Sequence, residues 1–262
     1  MSNLKVAVLG AKGRMGATTC AAITAADGME LVASLDIDDG DAAALAAAAA
    51  AAGATVAVDF TVPAAAEANV LALVAAGLNV VVGTTGWGDA SRGRVAEALA
   101  VANAERGPDS QLGVLIAPNF AFSAVLAMRF AAMAAPYFES AEVIELHHPN
   151  KVDAPSGTAK STAAGVAAAR AAAGLREIPD ATESGFEARG LRVDGVPVHA
   201  VRLRGLVAHE EVLLGNPGEM LTIRTDCFDR ESFMPGVLLA IREISTHPGL
   251  THGLENLIPT LA

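Results

Sequence analysis

The sequence predicts an α/β protein: a doubly wound parallel sheet of the Rossmann type, followed by a smaller α+β domain with a mostly antiparallel four-stranded sheet. Three observations predict it. Short apolar strands alternate with helical stretches up to about residue 117, the pattern of a parallel sheet covered on both faces. A glycine-spaced turn, GAKGRMG, follows the first strand and opens a helix. Beyond residue 120 the chain changes to strands joined by turns containing Gly205 and Gly218, and short turns join antiparallel neighbours.

Residues 4–9 form the first apolar strand, and an alanine-rich helix runs from the glycine turn to about residue 26. Further strands are predicted at 30–35, ending at Asp36, then at 55–60, 79–82 and 113–117. Helices at 41–52, 63–76 and 89–103 separate them. The stretch 42–52 is nearly pure alanine, the best helix former, and reads as a surface helix without a specific role. A long helix is predicted over 121–138, strands over 142–148, 196–203, 207–214 and 220–226, and helices over 161–173 and 232–245. Residues 174–195, rich in Gly, Pro and charge, read as a loop. The chain then divides into a dinucleotide-binding domain, 1–120, a second domain, 121–228, and a C-terminal segment, 229–262.

Composition narrows the function. The 262 residues are 52% hydrophobic, so a large core is available, yet only 4% are aromatic and alanine must do much of the packing. A net charge of −11 disfavours nucleic acid and anionic membranes as partners. Cys20 and Cys227 lie far apart without metal-ligand spacing and read as buried thiols in a reducing cytoplasm. The first residues lack the pattern of a signal peptide. The longest uncharged run, 68–88, is broken by Asn69, Gly77 and Asn79, so no membrane span is expected.

Gly10, Gly13 and Gly16 stand between strand and helix, where glycines let a backbone approach a pyrophosphate and a helix N-terminus supplies N–H donors. Asp36 ends the next strand, 20 residues past Gly16, a spacing that suits a carboxylate taking both ribose hydroxyls. A plain glycine turn would look the same. Asp36 repels a 2′-phosphate, and Ile37 offers it no partner, which favours NADH. Lys12 and Arg14 offer partial neutralisation, so NADPH is expected to be tolerated.

The richest segment is ELHHPNKVDAPSGTA, residues 145–159. It brings two imidazoles, an ammonium and a Ser-Gly-Thr helix start into fifteen residues, a combination suited to proton transfer on a small acidic molecule. Strand alternation puts Glu145 and His147 on one face and Leu146 and His148 on the other. A bare His-His pair can equally be structural. A metal site with Asp153 is a weaker alternative, because Lys151 is a fixed cation between the ligands. No metal is therefore expected.

This segment resembles, at every fixed position, the signature E-x-H-H-x-x-K-x-D-A-P-S-G-T-A of the dihydrodipicolinate reductases, which act in lysine and diaminopimelate biosynthesis. GAKGRMG resembles that family's own glycine loop. The resemblance implies cofactor contacts from Gly10, Ala11, Lys12, Gly13, Arg14, Met15 and Asp36. It adds Gly83, Thr84 and Thr85, and Ala117, Pro118, Asn119 and Phe120, at the nicotinamide end. It implies His147 as acid/base and Lys151 as proton donor, with His148, Gly157 and Thr158 holding a small dicarboxylate substrate. His199, His209, Arg202 and Arg204 are expected to be structural or interface residues. The resemblance further implies that 121–228 is a substrate-binding and oligomerisation domain, that 229–262 returns to the dinucleotide-binding domain, and that the protein is a cytoplasmic homotetramer built through the second sheet. Two rivals stay open: another two-domain dehydrogenase of an amino acid or sugar, and a non-catalytic NAD sensor.

Overall fold

The computed structural model describes residues 3–258. The chain runs β1 (Leu4–Leu9), α1 (Arg14–Ala25), β2 (Met29–Leu35), α2 (Ala42–Ala51), β3 (Val56–Asp59), α3 (Pro63–Ala75), β4 (Asn79–Val82), α4 (Asp89–Asn103) and β5 (Gly113–Ile116). It continues with α5 (Phe122–Ala134), β6 (Ser140–His147), α6 (Gly157–Ala172), β7 (Leu191–Val193), β8 (Val196–Arg202), β9 (Ala208–Asn216) and β10 (Glu219–Cys227). It ends with α7 (Met234–Glu243) and β11 (Gly249–His252). Two units result. One combines the chain up to Phe120 with the chain from Phe233 onward; the other is Ala121–Ser232.

The first unit holds a six-stranded parallel sheet in the order β11-β5-β4-β3-β1-β2. Val6 to Leu9, Val56 to Val58 and Val80 to Val82 are buried along their whole runs, as a sheet covered on both faces requires. The register aligns Leu9 with Asp59, Asp59 with Val82, and Val82 with Ile116. The turns after β1, β3, β4 and β5 therefore emerge side by side at one carboxyl edge. In open α/β sheets that edge is where ligands bind.

α2 departs from the surface-helix expectation. Asp41 caps it by accepting from the Ala44 N–H at 2.9 Å, and Leu45, Ala46 and Ala49 are buried in the core. An alanine run carries no apolar stripe to read, yet the methyl groups still fill space. β11 lies outside the predicted strands. Its GLTH sequence has no apolar run, and it forms because Gly249 to His252 pair with the free edge of β5.

The second unit holds five strands, not four, in the order β10-β9-β6-β8-β7. The added strand, β7, lies in the segment read as loop; it is three residues long and pairs antiparallel with β8. β6 and β8 pair in parallel, the single exception to antiparallel order in this sheet. Val143, Val198, Val212 and Leu214 form a core with Ala159, Ala163 and Val166 of α6 and Ala131 of α5. α6 starts at Gly157, four residues before its predicted start, because Ser156 caps it through the Ala159 N–H at 3.1 Å.

Candidate active site

At the carboxyl edge of the first sheet, Gly10 turns with φ +78°, and a Cβ there would stand 2.6 Å from the Phe60 carbonyl oxygen. A Cβ on Gly16 would collide with the Gly10 carbonyl, so that glycine lets α1 pack against the turn. Gly13 precedes α1 without a side-chain cap, and no acidic residue stands in the first turn. The positive helix end is thereby directed at the turn. A cavity of about 460 Å3 adjoins it, lined by Gly10, Gly13 and Asp36 with Ile37, Leu45 and Val62 as apolar walls. Backbone, carboxylate and apolar wall fit a dinucleotide's pyrophosphate, ribose and adenine.

Asp36 is already oriented. Its Oδ2 accepts the Lys12 N–H and its Oδ1 the Ile37 N–H, each at 2.8 Å. These donors hold its pKa below the usual carboxylate range. The Lys12 ammonium lies 2.7 Å from Asp38, both groups well exposed. The loop cation is thus tied to a carboxylate rather than standing alone. Ala11 lies in the turn, and Arg14 and Met15 are the first residues of α1.

The neighbouring turns are held by one buried carboxylate. Asp59 is fully buried at the end of β3 and accepts from the Thr61 N–H (3.1 Å), Thr61 Oγ1 (2.8 Å), Thr84 Oγ1 (2.7 Å) and Asn69 Nδ2 (2.9 Å). It joins the turn after β3 to the Gly83-Thr84-Thr85 turn after β4. Phe60 and Phe120 meet edge to face at 5.9 Å, which brings the Ala117-Pro118-Asn119-Phe120 segment to the same edge. A Cβ on Gly83 would run into the Phe60 ring.

In the second unit the charged segment begins at the end of β6. Glu145 is fully buried, and His147, two residues on along the same face, places Nδ1 2.6 Å from Glu145 Oε2. Arg202 of β8, in register with His147, grips the same carboxylate with Nη1 at 2.6 Å and Nη2 at 2.8 Å. The Ser156 N–H donates to Oε1 at 3.0 Å. Burial alone would raise the Glu145 pKa, but the hydrogen bonds from His147, Arg202 and Ser156 outweigh it and bring it down to about 2. Lys151 Nζ lies 2.6 Å from Asp153 Oδ1. Burial opposes the ionised form of Asp153 too, and Lys151 more than compensates, leaving its pKa lowered. His148 follows the last residue of β6, one residue short of the predicted strand end, and Gly157 and Thr158 begin α6.

Sequence reasoning brought out His147, Lys151 and the helix start; it put Glu145 on the face of His147 but gave it no role, and kept Arg202 as a structural or interface residue. Glu145 was within reach, since a period of two puts it beneath His147. The role of Arg202 was not, because it depends on the parallel pairing of β6 with β8, which brings it to a carboxylate 57 residues away in the chain. Among the described residues, no group of three or more His, Cys, Asp or Glu side chains is arranged to hold a metal ion. No helix there is long and apolar enough to cross a membrane.

The parallel sheet and the glycine turn that opens α1 make a nucleotide-binding fold of the Rossmann type, and the family and relatives it matches make it an oxidoreductase that uses a nicotinamide dinucleotide, NAD(P)H. The family model "Dihydrodipicolinate reductase, N-terminus" matches residues 4–120, and "Dihydrodipicolinate reductase, C-terminus" matches residues 123–258. The chain belongs to the dihydrodipicolinate reductase family. It is 64% identical over 253 residues to the 4-hydroxy-tetrahydrodipicolinate reductase of Beutenbergia cavernae, covering 96% of this chain and 97% of that one. It is 56% identical to the enzyme of the same name from Streptomyces coelicolor, covering 98% and 99%. Among solved structures it resembles the dipicolinate-bound dihydrodipicolinate reductase of Paenisporosarcina sp. TG-14, with a TM-score of 0.79, 34% identity, and 97% and 99% of the two chains covered. GenD2 from gentamicin A biosynthesis, at 14% identity and a TM-score of 0.58, shares the fold.

Proposed function

We propose that this protein reduces 4-hydroxy-tetrahydrodipicolinate to tetrahydrodipicolinate with loss of water, in lysine and diaminopimelate biosynthesis. The observation that carries this reading is the segment 145–159, where an imidazole locked to a buried carboxylate stands with an ammonium and a capped helix start. The names of the relatives and the dipicolinate bound to the Paenisporosarcina reductase point to the same substrate class.

The balance is substrate plus NAD(P)H plus one proton, giving product, NAD(P)+ and water. The cofactor, when bound, supplies the hydride. Departure of the hydroxyl needs a proton on the leaving oxygen and the loss of one from the adjacent carbon, which forms the conjugated double bond; the carbanion-like product of reduction then needs a proton on carbon, so one proton is consumed in all. His147 serves as acid/base and Lys151 as proton donor. His148, Gly157 and Thr158 hold the dicarboxylate, aided by the positive end of α6. The Gly10–Met15 turn carries the pyrophosphate and Asp36 the ribose. Gly83, Thr84 and Thr85 line the nicotinamide end with Ala117, Pro118, Asn119 and Phe120.

For the cofactor we favour NADH, with NADPH tolerated. Asp36 repels a 2′-phosphate, Ile37 is 82% exposed with nothing to offer it, and Lys12 is engaged by Asp38. We also propose a cytoplasmic homotetramer. Ile144, Leu146, Val201, Leu213 and Met220 share the sheet face opposite α5 and α6 and are partly or largely exposed, so a second copy would bury them. The free thiols Cys20 and Cys227 suit a reducing compartment.

A coupled assay tests the reading. The preceding synthase generates the substrate in place, and loss of nicotinamide absorbance is followed with NADH and with NADPH. Oxidation that depends on the synthase is expected with both. No oxidation with either, alongside turnover of an amino acid or sugar, would replace this reading with a different dehydrogenase.

A further inference from the structure

The carboxylate under His147 has more donors than a simple ion pair needs. Glu145 receives Arg202 through both guanidinium nitrogens, Ser156 through its backbone N–H, and His147 through Nδ1. Oε1 serves Ser156 and Arg202; Oε2 serves His147 and Arg202. Arg202 also donates to the Asp153 carbonyl at 2.6 Å, so the loop carrying Lys151 is fastened to the same point. A carboxylate surrounded by donors is ionised and can only accept. The Nδ1 facing it must then carry a hydrogen, which leaves Nε2 as the nitrogen whose proton changes during chemistry.

We infer that Glu145 is a positioning residue for the reduction: locked by Arg202 and Ser156, it fixes the tautomer and ring plane of His147. This rests on the reading of His147 as the acid/base. It differs from a merely structural ion pair, because Arg202 and Ser156 would satisfy a buried carboxylate without any histidine. Neutral His147 is accordingly the Nδ1–H form, with Nε2 bare and able to take a proton in one half of the reaction and return it in the other.

Glu145→Gln separates position from charge. The amide oxygen can keep the Oε1 place, with its bonds to Ser156 and one arm of Arg202, so the start of α6 stays anchored. The amide nitrogen then faces Nδ1 as a donor, which forces the hydrogen of neutral His147 onto Nε2. A wrong-tautomer imidazole of this kind lowers kcat by about 10²–10⁴-fold, while the ring remains in place.

The measurement is a long-range proton–nitrogen spectrum of the full-length protein labelled with 15N at histidine, taken at alkaline pH. The His147 signals are identified by their absence in His147→Gln. The wild type is expected to show the Nδ1–H form and Glu145→Gln the Nε2–H form. With it, kcat falls while KM and the inhibition constant of pyridine-2,6-dicarboxylate stay within about threefold, a range expected when only the transition state is affected. An Nε2–H ring in the wild type overturns the inference, and needs no variant to fold. So does Glu145→Gln with wild-type kcat, or with a loss confined to KM and inhibitor binding. Wild-type turnover in His147→Gln would instead remove the acid/base role from the proposed function, and the tautomer comparison would still decide what Glu145 does.

Discussion

The two candidate sites, one in each unit, are built from different materials. In the first unit the edge after β1 is mostly backbone: glycines that admit close approach, an uncapped helix start, and N–H groups that orient Asp36. In the second unit the segment after β6 is made of side chains locked to one another, Glu145 to His147 and Arg202, Lys151 to Asp153. A backbone site is robust, because no single side chain carries it. A side-chain site is exacting, because each group depends on particular partners and on the proton it holds. Substitutions should therefore act strongly in the second region and mildly in the first.

The largest effects are expected at His147 and Lys151. His147→Gln and Lys151→Ala should each lower kcat by about 10²–10⁴-fold. Each side chain is partly exposed, so thermal midpoints should move little. Steady-state rates with melting curves on the same preparations give both numbers. Near-wild-type turnover in either variant would remove the contrast between the two regions at its strongest point.

The second prediction concerns stability. Glu210 of β9 stands directly opposite Glu145 and is 4% exposed, and its Oε1 accepts from Thr162 Oγ1 at 2.6 Å. Burial, reinforced by the charge of Glu145 and only partly offset by Thr162, raises its pKa from 4.5 to about 7. A folded chain that binds this proton more tightly carries no penalty below pH 4.5, loses stability as the pH rises toward 7, and keeps the deficit above it. The shift corresponds to about 3 kcal/mol. Glu145 has the opposite sign: its contribution is complete above pH 4.5 and is lost as the pH falls toward 2. Glu210→Gln should raise the urea midpoint at pH 8 much more than at pH 5. An equal shift at both pH values would mean that Glu210 does not titrate in the fold.

A third, smaller effect is expected at the α6 helix start. Thr158→Val keeps the shape and removes the hydroxyl, and should weaken pyridine-2,6-dicarboxylate by about 1–3 kcal/mol. Inhibition constants for the two proteins, measured side by side, decide it. Equal constants, or inhibition competitive with NADH, would take the Thr158 hydroxyl out of the substrate site.

The same contrast explains what could be read in the sequence. β1, β4 and α4 begin and end where their residue patterns place them, since buried parallel strands are plain apolar runs. The glycine turn was legible because backbone chemistry leaves a spacing. β7 was not: its three residues are largely exposed and carry no alternation. β11 was not either, since a four-residue strand on a sheet edge is specified by its neighbour β5 more than by its own residues. Within the site, His147 and Lys151 stand out by type, whereas Arg202 acquires its role only from the β6–β8 register. Glu210 shows the limit most clearly. Two glutamates on separate strands look like surface charge until the pairing places them opposite each other in the interior.

The mildest prediction is at Asp36, the one side chain in the backbone-built region expected to touch the ribose. Its carboxylate is preset by the Lys12 and Ile37 N–H groups, so it meets the ribose hydroxyls without reorganisation. Asp36→Ala removes two acceptors but leaves the glycine turn and the helix end, to which the proposed function assigns the pyrophosphate. KM for NADH should rise about tenfold, the size of one or two hydrogen bonds to a charged group, with kcat nearly unchanged. NADPH should lose less or gain, because the same substitution removes a repulsion from the 2′-phosphate. Comparing KM for the two cofactors in wild type and variant tests both statements together. A loss of a hundredfold or more, equal for both cofactors, would mean that Asp36 holds the turn itself, and that the first region depends on a single side chain as much as the second does.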